Sequence, residues 1–526
     1  MDDTHAVSSM FTAIDWAVVF FYMVFTTYLG HKLSGKQSTV KDFFLGGRKL
    51  PWWAVSGSII ATEISALTFI GVPGGVFAAK GDWTYLQWGI GSIIARFAVG
   101  YWLVPLYYKK DIFSPYDYMG ERLGENVRRL VTGLFSLGAI LGQSVRVVVT
   151  AVILNVVTPL DPWACILLIG GFAVLWAIMG GMQTVIWTDV IQFCLFLAGG
   201  LLAFFWLWGN IGFGNVVDYN QVSVDGEAVD KLRWLDFTTP FENPGLKFTF
   251  WVGVIAMPFQ NFAAFGVDQL NTQRMFCCKS VEDAKKAICF SSVSILITIL
   301  MLAVGAGLFA WYKENPPNEA ITQLFAEDKN NVFPTWIVQV LPVGISGLIL
   351  SGAFAAAISS LDSILAALSQ TSLSIFVGRE KMEAAAGSAR MVKWSRIAVC
   401  VWGVLLTGFS LLMWQSYSSN PDNNNLIGLA FGMVAYTFGP LLGILLAAIF
   451  PARTNFVGLL IGTLCSIALV GWFRPELLLI CDWVGWDAEA VKASRPSWAS
   501  EWFFPINAGL TYGMGLLGSW VAYSKR

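Results

Sequence analysis

The sequence predicts an all-α, polytopic membrane protein, and three observations carry that reading. Of 526 residues, 56% are apolar and 13% charged, with a mean hydropathy of +0.63; such a composition belongs in a bilayer. Thirteen apolar stretches are long enough to cross about 30 Å of hydrocarbon. Two of them, the second and the seventh, are interrupted by Gly, Pro and polar residues at matching places, and each opens a run of five. Paired broken helices are the sequence mark of an inverted repeat, because Pro and Gly free backbone carbonyls that only a protein-lined cavity tolerates.

The stretches lie near 11–32, 51–79, 83–108, 127–157, 160–180, 184–210, 247–271, 283–312, 334–377, 394–415, 423–450, 455–473 and 504–523. The first follows MDDTHAVSSM, which lacks the basic region and cleavage site of a signal peptide, so it is expected to be retained. The second, WWAVSGSIIATEISALTFIGVPGGVFAAKG, carries Glu63 among Thr62, Ser65 and Thr68, then Gly71, Pro73, Gly74 and Gly75. The seventh, FWVGVIAMPFQNFAAFGVDQL, has Pro258, Gln260, Asn261 and Gly266. The resulting organisation is a peripheral helix and inside loop (1–50), a first five-helix repeat (51–210), a loop outside (211–246), a second five-helix repeat (247–450), and two peripheral helices with a loop between them (451–526).

Basic residues orient the chain. With the N-terminus outside, Lys32, Lys36, Lys41, Arg48 and Lys49, the cluster from Lys109 to Arg129, Arg274 to Lys286, Arg379 to Arg396, Arg453 and the C-terminal Lys525 and Arg526 all fall inside. A miscounted helix would invert the bias downstream, so the agreement supports both the number and the orientation. The outside loops 211–246 and 313–333 are more acidic than basic, and 474–503 is rich in Trp.

The ninth stretch organises the functional reading. In SGAFAAAISSLDSILAALSQTSLSIF (351–376), Ser359, Asp362 and Ser363 are spaced i, i+3, i+4 and share a helix face, with Ala356 and Ser360 on its flank. Hydroxyl, carboxylate and small residues suit a hard monovalent cation, and a neighbouring backbone can approach closely. Helical Ser bonding its own i−4 carbonyl accounts for Ser351 or Ser369 but not for a carboxylate at bilayer depth, which costs about 3 kcal/mol or more. Asp189 opens the sixth stretch, as a cation ligand or as a carboxylate at a helix N-terminus. Arg146, in the fourth, pairs with Glu63 or meets a substrate carboxylate. Gln87 is a further candidate for the same cavity.

Other classes are poorly supported. Net charge is −1 and there is no basic tail, which leaves no footprint for nucleic acid. Two histidines, His5 and His31, and eight cysteines with no metal-ligand spacing argue against an enzyme and against a disulfide framework.

Four segments, WWAVSGSIIATEISALTFIG (52–71), GGMQTVIWTDVIQ (180–192), DQLNTQR (268–274) and AAAISSLDS (355–363), resemble the sodium/solute symporters. That family includes sodium-coupled sugar, proline, sialic acid, monocarboxylate, vitamin and iodide carriers, and the match runs from about residue 10 to 450. The resemblance implies the five-plus-five inverted repeat (LeuT-like). It implies a shared Na⁺ site at the carbonyls of Ala61, Ile64 and Ala356 with the hydroxyls of Ser359 and Ser360. The pattern of a second Na⁺ site maps to Asp189, Ser359, Asp362 and Ser363, so two ions per cycle are expected. Sugar-transporting members place Asn, Glu, Tyr and Lys where this chain has Glu63, Gln87, Ala264 and Ile295, sharing only Asn261. Ser65, Thr68 and Gln87 look like the pocket of sialic-acid-transporting members, although Arg146 falls about one helical turn from that family's Arg.

The expected function is Na⁺-coupled symport of a small polar organic solute into the cell by alternating access. An acidic sugar such as sialic acid, or another carboxylate, is preferred; a neutral sugar or polyol is the alternative, with proton coupling through Glu63 and Asp362 as a rival mechanism. A non-transporting membrane sensor is the alternative of another class. The expected substrate residues are Glu63, Ser65, Thr68, Gln87, Arg146 and Asn261. The expected partners are solute, Na⁺ and membrane lipid, with no nucleic acid and no obligate protein partner. The expected location is the plasma membrane, or inner membrane of a bacterium, with the N-terminus outside and the C-terminus inside.

Overall fold

The computed structural model describes residues 11–33, 45–110, 112, 114–179, 182–376, 389–419, 426–450, 453–473, 490, 494 and 498–524, without a few side chains, among them those of 355–357 and 359. Residues 377–388, 474–489 and both termini lie outside the described residues.

Each of the thirteen apolar stretches falls on helix. The principal helices are α1 (Ala13–Leu33), α2 (Trp52–Glu63), α3 (Ala66–Phe77), α4 (Trp88–Ala98), α5 (Glu125–Val157), α6 (Pro162–Met179), α7 (Met182–Ile211), α8 (Met257–Gly266), α9 (Gln269–Met275), α10 (Ser294–Glu314), α11 (Val332–Val340), α12 (Ile345–Phe376), α13 (Ala389–Ser419), α14 (Leu426–Ile449), α15 (Phe456–Phe473) and α16 (Phe503–Ser524). By length and apolarity, seven described helical segments are able to cross a membrane, or eight counting the bent pair α2–α3.

Both expected breaks are present, and each has a local cause. Between α2 and α3 the axis bends by 54°. Ile64 and Ser65 are extended, and Ser65 Oγ accepts from Leu67 N (3.2 Å), capping the helix that restarts. The Gly71–Gly75 cluster is not the break. It lies within α3, where Gly74 lets the carbonyl of Lys329 approach so closely that a Cβ would sit 2.8 Å from it. In the seventh stretch, α8 ends at Gly266 and Asp268 caps α9, its Oδ1 accepting from Leu270 N (2.7 Å). Pro258 follows a π turn at Val252–Ala256 and does not itself break the chain.

One expectation of an element boundary is corrected. The ninth stretch is two helices, α11 and α12, separated by a turn in which Leu341 is extended and Gly344 takes φ +88°. Residues 211–246 include an antiparallel hairpin, β1 (Gln221–Val224) and β2 (Glu227–Asp230), turned by Asp225–Gly226 with φ +55° and +80°.

Helix α12 is the hub. It packs on α1, α5, α6, α7 and α13, and also on both halves of the bent pair, α2 and α3. Asp15 of α1 fixes its start. The buried carboxylate accepts from Gly344 N (2.7 Å), Gly347 N (3.0 Å) and Ser346 Oγ (2.6 Å), which answers the unpaired donors and the positive end of the helix.

Candidate functional site

The two breaks face one cavity of about 200 Å³. From the first come Thr62, Glu63, Ser65 and Thr68; from the second come Gln260, Asn261, Asp268 and Asn271; α5 adds Gln143 and Arg146, and α14 adds Phe431 and Phe438. Five of the six expected substrate residues therefore meet here. Gln87 does not. Its amide nitrogen donates to Thr84 O (3.2 Å) and Phe248 O (3.0 Å), and its oxygen accepts from Asp236 N (3.1 Å), so it ties the 211–246 loop to the helix bundle.

The charges pair differently from expectation. Glu63 pairs with Arg96, which is fully buried, lies over the Phe265 ring at 4.2 Å and also donates to Ser291 Oγ (2.9 Å). Arg146 instead donates to Thr62 O (3.1 Å), one of the carbonyls that the bend leaves without a helical partner. It is the sole basic residue lining the cavity among the described residues. Asp268 also lines it, with its charge answered in part by the N-terminus of α9.

Aromatic rings pack together at the end of the cavity toward the 211–246 loop. Tyr85 meets Trp88 (5.4 Å) and Phe248 (5.5 Å), and Trp88 meets Phe248 (4.8 Å) and Phe431 (4.7 Å). On the other side a buried polar cluster joins α2, α7, α9 and α12. Arg274 donates to Ser58 Oγ (2.9 Å), Asp189 Oδ2 (3.1 Å), Ser363 Oγ (3.0 Å) and Leu270 O (2.5 Å). Ser58 Oγ donates to Asp189 Oδ2 (2.5 Å), and Ser363 Oγ to Asp362 Oδ1 (3.2 Å). Asp189, eight residues into α7, is therefore not a first-turn carboxylate.

The first cation site was expected between the turn at 61–64 and α12. Ala61 and Ile64 are buried at the bend, and Ser360 is fully buried on α12. The side chains of Ala356 and Ser359 lie outside the described residues. Among the described residues no group of three or more His, Cys, Asp or Glu is arranged to hold a metal, so an ion here would rest on carbonyls and hydroxyls.

The sequence model of the sodium:solute symporter family matches residues 43–466. The chain belongs to that family. It is similar to the sodium/sialic acid symporter of Proteus mirabilis (28% identity, 88% of this chain and 89% of that one) and to that of Aliivibrio fischeri (28%, 88% of each). It is also similar to the human sodium/iodide cotransporter (26%, 88% and 70%). Among solved structures, a substrate-bound, outward-open Na⁺-coupled sialic acid symporter superposes with a TM-score of 0.75 at 25% identity, over 97% of this chain and 98% of that one. A nucleobase-cation-symport-1 family transporter shares the fold with a TM-score of 0.51 at 13% identity, over 93% and 96%. The fold is thus the five-plus-five inverted repeat, and the protein is a multi-pass, Na⁺-coupled solute symporter and not an enzyme.

Three residues of the symporter's polar clusters were missed in sequence. Arg274 stands in DQLNTQR and counts as one more inside-loop cation, and Arg96 and Ser58 are not singled out. The signal for the two arginines was present, since a buried cation in hydrocarbon demands a partner. Nothing in the linear chain says which carboxylate answers it.

Proposed function

We propose that the symporter carries a polyhydroxylated carboxylate, an acidic sugar of the sialic acid class, inward across the plasma membrane (the inner membrane in a bacterium). The carrying observation is the charge arrangement of the cavity. Arg96 compensates Glu63 and the α9 N-terminus compensates Asp268, so Arg146 is left to face a solute carboxylate. Ser65, Thr68 and Asn261 supply hydroxyl and amide groups for solute hydroxyls. The two similar bacterial sialic acid symporters support this reading.

The first Na⁺ rests on the carbonyls of Ala61, Ile64 and Ala356 with Ser359 and Ser360, holding the bend of α2–α3 against α12. The second rests on Asp189, Ser359, Asp362 and Ser363. Arg274 bonds two of those groups, so the second ion binds as the guanidinium withdraws, and the polar cluster on the inner side alternates between an arginine-latched and a sodium-filled form. Each charge carried inward across 100 mV supplies about 2.3 kcal/mol. The repeats span 51–210 and 247–450, with the N-terminus outside, the C-terminus inside and the aromatic rings as the outer lid. The remaining helices meet lipid, and no obligate protein partner is required.

Uptake into proteoliposomes tests this directly. Sialic acid accumulates under an inward Na⁺ gradient and not under a K⁺ or pH gradient alone. Accumulation indifferent to Na⁺ ends the coupling mechanism; uptake of a neutral hexose or polyol in preference to sialic acid ends the acidic-sugar reading. The neutral alternative draws its support from Glu63 and Asp268, which both line the cavity.

A further inference from the structure

Beyond the aromatic lid lies a larger cavity of about 490 Å³. Tyr85 and Phe248 of the lid line it, as do Gly71 and Gly75 of α3 and residues of the two outside loops. Its volume is that of a small-molecule site and more than twice that of the cavity beneath.

Among the described residues four cations line its wall, Lys80, Arg233, Lys247 and Lys329, and they are not equivalent. Arg233 is committed to Asp82 (2.9 Å) and Asp236 (3.5 Å). Lys80 turns to the hairpin, pairing with Asp225 (3.4 Å) and Glu227 (3.5 Å). Lys329 is half-buried and makes no ion pair among the described residues. Its neighbour Asp328 is spent locally, accepting from Tyr417 Oη (2.6 Å) and from the backbone and side chain of Asn330 (2.8 and 2.7 Å). Burial pushes the Lys329 amino group below its ordinary range, opposed by Asp328, as expected of a cation lacking a direct counter-charge. The turn that carries it is seated firmly, its carbonyl resting against Gly74. An unanswered cation on the wall of a concave, partly desolvated chamber focuses field lines and draws anions in.

We infer that this outer vestibule is a docking site for anionic solutes, in which Lys329 holds the carboxylate of the incoming molecule above the closed lid before Arg146 receives it below. The chemistry is that of a singly charged organic acid. Its assignment to the transported solute rests on the acidic-sugar reading; the docking of anions does not.

Gly75 provides the test, because a Cβ built there meets nothing within 4 Å and the residue lines the vestibule. Gly75→Cys is labelled in proteoliposomes with the anionic sulfonatoethyl and the cationic trimethylammonioethyl methanethiosulfonates. Rates are normalised to a free thiol, and the parent chain supplies the background from its own cysteines, including exposed Cys194, Cys400 and Cys465. The anionic reagent is expected to be favoured about threefold or more. That preference is lost when Lys329→Gln is added, kept with Lys329→Arg, and labelling slows when sialic acid is present. No anionic preference, or one unchanged by Lys329→Gln, overturns the inference. So does a chain that imports sialic acid while sialic acid fails to slow labelling. A Lys329-dependent preference in a chain that imports no sialic acid supports anion docking and removes only the solute assignment.

Discussion

Replacing Arg274 by Met removes the guanidinium and keeps most of the side-chain volume. The loss is large because of burial: Arg274 is 1% exposed and Asp189 0%. Four hydrogen bonds go, and Asp189 keeps only Ser58 among the donors named above. Breaking a buried pair by deleting one partner costs about 3–5 kcal/mol, most of it the penalty for an uncompensated charge. Much of that penalty should be recovered in Asp189→Asn/Arg274→Met, so the pair couples by about 2 kcal/mol or more in a double-mutant cycle. The Arg274→Met protein also retains Asp189, Asp362 and Ser363 without their competing cation. Its stabilisation by NaCl, measured as thermal unfolding in detergent against equal choline chloride, should therefore exceed that of the parent. A single variant that melts within a degree of the parent and gains nothing from Na⁺ would refute the latch.

Three further outcomes follow from the same geometry. Arg146→Gln should raise the KM for an acidic sugar roughly 10- to 100-fold, the value of about 1.5–3 kcal/mol for a hydrogen bond to a charged group, and change the KM for a neutral analogue far less; equal effects on both would remove Arg146 from the carboxylate. Arg96→Met should weaken acidic-solute binding by leaving Glu63 uncompensated beside it, and Glu63→Gln should restore binding in that background, as read by calorimetric titration. Lys231 is fully buried, following the β-hairpin, donating to Val76 O (2.9 Å) and Ala78 O (2.5 Å), and burial pushes its amino group down to about 8, opposed by Asp82. Because that value lies below the one it has when unfolded, about 10.4, the unfolded chain binds more protons between the two, and stability attributable to Lys231 rises as pH increases from about 8 to 10. Parent minus Lys231→Met unfolding temperatures across that window should show the rise, and a flat difference would reject it.

Hydropathy made the helices legible, and the matching Gly, Pro and amide clusters located both interrupted segments. The precise breakpoints were less legible. The glycines at 71–75 look like an unwound turn, yet the chain bends at Ile64–Ser65, where a serine cap restarts the helix, and among those glycines it is Gly74 that admits the Lys329 carbonyl. Glu63, Ser65, Thr68, Arg146 and Asn261 do share a cavity, whereas Gln87, equally polar and equally placed by hydropathy, is consumed by backbone groups of a loop about 150 residues away.

The linear chain by itself determined membrane residence, the order of the helices and the presence of buried carboxylates and cations, because each of these is a property of about twenty consecutive residues or of one residue's transfer cost. Only the tertiary structure decided which charge answers which: Arg96 with Glu63, 33 positions apart, and Arg274 with Asp189, 85 apart. A desolvated charge must find a partner, and sequence reports that demand. The partner is whatever group helix packing brings within about 3 Å, and a rotation of one helix by a single residue, about 100°, would choose another.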